Sequence, residues 1–198
     1  MSDFPVLLKD TLFRVARKTI EEWLYRRQKL HLTDFEPVDS ELMDKRASFV
    51  TLTIHDKLRG CVGSIYPFQP LIIDVSQNAF HAAFDDTRFL PLAQEEWLNT
   101  EIEISLLTVP TEIQVKDWRE LWERIRPGMD GMIIRQGAYQ ATFLPQVWKS
   151  LPDKRDFMGA LCQKAGLPRL AYQTTTSSMR FYLYQVEILK ETKPPSLQ

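Results

Sequence analysis

Leu58-Arg59-Gly60-Cys61-Val62-Gly63-Ser64 constrains the fold of this chain more than any other stretch, because a thiol, a guanidinium and two glycines fall within it. Ala47 to Ile54 alternates apolar and polar residues as a half-buried strand does, and His55-Asp56-Lys57 then reads as a tight turn. Together they predict a hairpin whose second arm carries the glycines. Side chains alternate along an extended arm, so Arg59 and Cys61 are expected on one face with Ile65, and Gly60 on the other with Val62 and Ser64. Glycine weakens a strand interior. It stands there when a ligand or another backbone comes close, or when the strand bulges. A functional site is therefore expected at this arm, with space for a ligand at Gly60 and Gly63.

The elements around the hairpin follow from periodicity. Leu8, Leu12, Val15, Ala16, Ile20, Trp23 and Leu24 recur at helical spacing, predicting an amphipathic helix from Pro5 to about Lys29 capped by Ser2 or Asp3. His31 to Arg46 reads as a loop with one short helical turn. Leu71 to Phe84 reads as a second helix, with Leu71, Val75, Ala79 and Ala82 inward. Its other face carries Asp74, Gln77, Asn78, His81 and Asp85 as a continuous polar stripe, which is either a solvated face or the lining of a cleft toward Cys61. In the following loop Asp86 and Arg88 flank a small residue, a pattern that ties loops down by local ion pairing.

Glu101 to Leu106 alternates as a strand with Glu101, Glu103 and Ser105 facing water or the site. Glu112 to Val115 is read as a short strand, Trp118 to Ile125 as a helix with a bulky core-facing side, and Met132 to Leu144 as a hairpin. Asp153 to Ala165 is a helix holding a buried Cys162 and stopped by Gly166. Thr174 to Ser178 is a polar loop, Met179 to Leu189 one last strand, and 191–198 a polar tail.

With 25 basic and 26 acidic residues in 198, and no Lys/Arg run, composition does not support a dedicated nucleic-acid binder; a basic patch would have to be assembled by folding. No segment has the apolar length of a membrane span, and the N-terminus lacks the layout of a signal peptide, so a cytoplasmic protein with two free thiols is expected. Neither a Walker loop, nor a dinucleotide fingerprint, nor zinc-ligand spacing occurs, so no cofactor or metal is expected.

Two functional readings compete. In the catalytic one Cys61 is a nucleophile or redox thiol favoured by Arg59, with His81 or His55 as proton acceptor and Glu103 or Asp86 orienting the imidazole. In the binding one a groove lined by Leu58, Gly60, Gly63, Ser64, Asn78, Asp86, Arg88 and Glu103 holds a small molecule, a peptide or another partner, and Arg59 meets an anionic group. The structural alternatives are a core-filling Cys61, a turn-forming His55 and an ion-paired Arg59. A metal site of Cys61, His55 and His81 lacks the ligand spacing zinc uses.

Leu58 to Gly63 resembles the Leu-Arg-Gly-Cys-Ile-Gly hexapeptide of the AMMECR family, with Val62 in place of Ile. The Asn78-Ala79 and Asp86-Thr87-Arg88-Phe89 blocks, the strand through Ile104-Ser105-Leu106-Leu107, Gly128 to Gly131, Phe143 to Val147 and Lys164 to Leu167 resemble the family in order; Thr87 stands where Pro or Ser is frequent. The resemblance implies an α+β fold, a mostly antiparallel sheet flanked by helices, over residues 1–190. It implies a larger subdomain built from both chain ends, a smaller β-rich one from roughly 110–150, and a groove beside the hexapeptide. It also implies the company of a Memo-like protein and a radical SAM protein in bacteria, and no settled activity. A groove-binding accessory or scaffold protein is the expectation, with a thiol-dependent enzyme as the alternative.

Overall fold

The N-terminal apolar stripe folds into helix α1 (Val6–Glu21), with Pro5 at its N-cap and Leu8, Leu12, Val15, Ala16 and Ile20 buried. The α-helix stops short of Lys29. It widens into a π-turn (Glu22–Arg26), and Arg27 closes it in the left-handed conformation at φ 55°. Trp23, in that turn, sets its ring edge-on to Phe80 at 5.1 Å. The computed structural model describes residues 5–31, 39–174 and 178–191, so Ser2 and Asp3, most of the 191–198 tail, and parts of the 31–46 and 174–178 loops lie outside the described residues.

The chain forms two units: Met1–Leu107 with Glu187–Gln198, and Thr108–Val186. The internal unit runs past 150, because β7 (Arg180–Tyr184) is a central strand of its sheet. In the first unit an antiparallel sheet has the order β2-β1-β3-β8, where β1 is Ser48–Ile54, β2 Lys57–Gly63, β3 Thr100–Leu107 and β8 Val186–Lys190. Helices α1 and α2 (Leu71–Phe84) contribute to its core, where Leu12, Ile20, Leu71, Val75 and Ala79 meet Val50, Leu52, Ile102 and Ile104. Short helix α3 (Gln94–Trp97) leads into β3 and buries Trp97. Glu191 belongs to this unit rather than to a tail: its Oε2 accepts from the Arg17 Nη2 at 2.6 Å.

The second unit has the order β4-β7-β5-β6, with β4 Thr111–Ile113, β5 Gly131–Gln136 and β6 Tyr139–Phe143. Its core takes side chains from α4 (Trp118–Arg124), α5 (Lys154–Lys164) and α6 (Ala171–Thr174), and the Trp148 ring stacks on Phe157 at 3.7 Å. Trp118 and Trp122 are core packing, as their helical spacing implies. Cys162 is fully buried, and burial pushes its thiol pKa up.

The last strand read from sequence is in fact two strands in different sheets, β7 and β8. They part at Gln185, whose N–H donates to Thr108 Oγ1 and whose C=O accepts from the Thr108 N–H. Apolar-polar alternation carries no mark of a change of sheet, because both strands are half-buried.

Candidate functional site

His55 and Asp56 form the expected hairpin turn, both at positive φ (50° and 61°), as a two-residue primed turn requires. From Ile54 opposite Lys57 and Thr53 opposite Leu58, the register then slips: Leu52 faces Gly60, and Arg59 has no opposite residue. This bulge leaves Arg59 as the unpaired residue of the strand. Arg59 turns to α3 instead, where Nε and Nη2 hold Glu96 at 2.7 and 2.9 Å, and Nη2 also donates to the Leu90 carbonyl. Its side chain is only 13% exposed. The cation expected to favour a thiolate is thus an ion-pair partner, and Arg59 first, then the Ala93 N–H, hold the Glu96 carboxyl below its usual range.

Past the bulge, Cys61 faces Thr51, and Thr51 faces Glu103, so the three side chains form a half-buried row across β2, β1 and β3. Thr51 Oγ1 donates to Cys61 Sγ at 3.4 Å. β2 is an edge strand, and its outer backbone groups at Cys61 are covered by side chains. The Cys61 N–H donates to Asp86 Oδ2 at 2.9 Å, and Arg88 Nη2 donates to the Cys61 carbonyl at 3.1 Å. Asp86 and Arg88 are themselves paired through two contacts, at 2.9 and 2.6 Å. That pairing, helped by the Cys61 and Arg88 backbone N–H groups, holds the Asp86 carboxyl far below the usual carboxylate range. In return Asp86, and more weakly the Cys61 sulfur, raise the Arg88 pKa. Of the two guanidiniums, Arg88 is the one bonded to the strand backbone at Cys61. Both lie over the Phe89 ring, at 5.7 and 5.5 Å from its centroid.

The polar stripe on α2 divides. Asp74 and Asn78 are 2% and 6% exposed and belong to a buried network, so the solvated-face reading fails for them. Asp74 accepts from the Ser48 N–H and hydroxyl, from Ser64 Oγ and from Asn78 Nδ2, all within 2.8 Å. Ser64 and Asn78 are therefore committed to tying α2 to the hairpin. His81, by contrast, is exposed, with its nearest charged partner Asp85 at 3.8 Å. His55 is exposed in the turn.

Gly60 and Gly63 do not hold space open for a ligand. A Cβ at Gly60 would lie 2.0 Å from the Ala82 carbonyl oxygen, because α2 presses on the strand there. At Gly63 a Cβ would meet the ring of Phe49, its cross-strand partner, at 2.2 Å. The same pairing recurs in the second unit, where Tyr184 lies across Gly131. Leu58 is 45% exposed and Cys61, Thr51 and, on β3, Glu103 are half-buried, so these four remain reachable.

A family model described as AMMECR1 matches residues 13–189. The chain belongs to the AMMECR1 family. This AMMECR1 domain is 35% identical over 193 residues to protein PF1979 of Pyrococcus furiosus, covering 92% of this chain and 88% of that one. It is 37% identical over 188 residues to protein MJ0810 of Methanocaldococcus jannaschii, covering 91% and 89%. The crystal structure of the uncharacterized protein PH0010 from Pyrococcus horikoshii superposes with a TM-score of 0.84 at 33% identity, covering 94% of this chain and 92% of that one.

Two residues of the AMMECR1 site escaped sequence reasoning. Thr51 is placed opposite Cys61 only by the bulge, for which the periodicity carries no signal. Glu96 was legible in part: its carboxylate accepts from the Ala93 N–H three residues back, the sign of a helix start, while its partner Arg59 is remote in sequence. Among the described residues no three His, Cys, Asp or Glu side chains gather to hold a metal, and no helix is long and apolar enough to cross a membrane. A groove of about 460 Å³ opens on α1 between Asp10, Arg14, Lys18 and Glu191, and none of the hexapeptide lines it.

Proposed function

We propose that this protein is an accessory or scaffold protein that presents the β2–β1–β3 row of Cys61, Thr51 and Glu103, with Leu58 beside it, to a ligand or partner. The observation that supports this most is the commitment of the charged groups around the thiol: Arg59 to Glu96, and Arg88 to Asp86 and the strand backbone. Groups paired in this way hold a shape. A nucleophilic thiol needs a base that accepts its proton, and the one side chain bonded to the Cys61 sulfur among the described residues is the hydroxyl of Thr51, which is no base. A Memo-like or a radical SAM protein is the partner class implied by the family resemblance. The test is binding of the purified chain to each by sedimentation or calorimetry. A complex retained in Cys61→Ser and weakened at least tenfold in Glu103→Arg supports the reading; no complex with either protein removes this partner class.

One observation favours a thiol-dependent enzyme instead: Cys61 is half-buried, its sulfur accepts a hydroxyl hydrogen bond, and the Arg88 guanidinium is bonded to the carbonyl of the same residue. Iodoacetamide alkylation followed against pH separates the two. Fast labelling of Cys61 at pH 6, with cellular function lost in Cys61→Ser while fold and complex persist, replaces the accessory reading with the catalytic one.

A further inference from the structure

Two arginines of the second unit face each other with no acid between them. In the register of β5 and β7, Arg135 lies directly opposite Arg180, and Gln140 of β6 lies opposite Arg135 on its other side. All three are exposed. Residues opposed on antiparallel strands bring their Cβ atoms to about 5 Å, and like charges so placed repel. Neither guanidinium joins an ion pair with another described residue. The remaining strand arginine, Arg59, is paired with Glu96. The nearest carboxylate on this face by register is Glu112, one row along and opposite Tyr182, and it accepts from Gln114 at 3.1 Å. Toward the other end the face closes over Ile133 and Tyr184, which are 0% and 2% exposed, so the arginines stand at its open end.

We propose that Arg135 and Arg180 form a binding site for a phosphate group. A phosphate monoester carries a charge of about −1.5 to −2 and three acceptor oxygens, which matches two guanidiniums that each offer parallel N–H donors. A carboxylate, with one charge and two oxygens, neutralises only one of them. The Gln140 amide adds a neutral donor at the rim. The pair exists only in the folded chain, which is why no basic run marks it in the sequence. A free or small-molecule phosphate and a nucleic-acid backbone offer the same chemistry.

The full chain is titrated with inorganic phosphate, and separately with a short single-stranded oligonucleotide, at ionic strength held constant with sodium chloride. Backbone and Arg Nε–H resonances report the response. Saturable shifts centred on residues 135, 140 and 180 are expected with at least one probe, and the dissociation constant rises at least tenfold in Arg135→Gln and in Arg180→Gln. Arg135→Glu supplies the missing carboxylate: it is expected to raise the melting temperature by pairing with Arg180 and to abolish the response. Saturation by inorganic phosphate assigns a small ligand. Binding of the oligonucleotide alone, which on repetition at several sodium chloride concentrations shows a salt dependence of about two released counterions, assigns a nucleic-acid backbone. Shifts that do not saturate, shifts elsewhere, or a dissociation constant unchanged in both Gln variants overturn the site.

Discussion

A methyl group added at Gly60 meets the carbonyl oxygen of Ala82, which is helix backbone and cannot step aside, whereas at Gly63 it meets the side chain of Phe49. The two positions should therefore respond differently. Overpacking usually costs about 1–3 kcal/mol, and Gly60→Ala is expected at or above the top of that range because α2 itself must move. Gly63→Ala is expected near the bottom, and Phe49→Leu in the same chain should recover part of the loss. Urea unfolding of the three variants measures this, and an unchanged midpoint for Gly60→Ala would show that α2 does not press on the strand. The sequence marked both glycines as close approaches, which they are. It did not say what approaches, because a helix carbonyl, an aromatic ring and a ligand all demand the same missing side chain.

Strand β2 shows the same division between what a sequence pattern carries and what it omits. The turn at His55-Asp56, the strand and the neighbouring polar loop were all legible, since each follows from alternation or turn chemistry. The bulge was legible only as one of several readings of the glycines, and its place at Arg59 was not, because Leu58-Arg59-Gly60 has no two-residue pattern against which an extra residue would show. Arg59, the unpaired residue of the bulge, holds Glu96, while Arg88 covers the edge. That cover is specific: Asp86 and Arg88 engage the N–H and C=O of Cys61 as a neighbouring strand would, and a covered edge does not recruit other chains. Removing Asp86 strands the Cys61 N–H and leaves the Arg88 guanidinium, 54% exposed, to water. Asp86→Ala is expected to cost about 2–3 kcal/mol, the scale of hydrogen bonds to charged groups, and Asp86→Asn less because it still accepts from Cys61. A double-mutant cycle on Arg59 and Glu96 should give a coupling near 1 kcal/mol, since Glu96 is 35% exposed. An Asp86→Ala variant as stable as the parent, and no faster to aggregate, would mean that the loop does not protect the edge.

Across the whole molecule the groups raised by burial, Tyr184 and Cys162, lie in the second unit, and the carboxylates held lowest by arginine pairs, Asp86 and Glu96, in the first, so alkali should weaken the second unit first and acid the first unit first. Asp86 and Glu96, in the first unit, have folded pKa values below their ordinary ones. A depressed carboxylate stabilises the fold above its unfolded pKa and loses that contribution as pH falls from about 5. The second unit holds Tyr184, whose phenol is 2% exposed and whose pKa is raised by burial against a weaker opposing hydrogen bond from Thr142. Its unfolded form releases a proton at about pH 10 while the folded form keeps it, so stability falls as pH rises past 10. Cys162, also in the second unit and also raised by burial, acts in the same sense from its lower reference value. Asp117 and Glu120 of the second unit are lowered too and act in the acid sense, but as helix-start carboxylates at the surface, 48% and 27% exposed and bound mainly to backbone N–H groups, they are screened by solvent and contribute less. The tryptophans report each unit separately: Trp23 and Trp97 lie in the first, Trp118, Trp122 and Trp148 in the second. With 5-fluorotryptophan incorporated, 19F spectra in moderate urea should show the first pair losing native dispersion first near pH 3, and the other three first near pH 11. Two substitutions supply the controls, since Asp86→Asn should flatten the acid limb and Tyr184→Phe the alkaline one. All five resonances melting together at both extremes would show that the units unfold as one cooperative body.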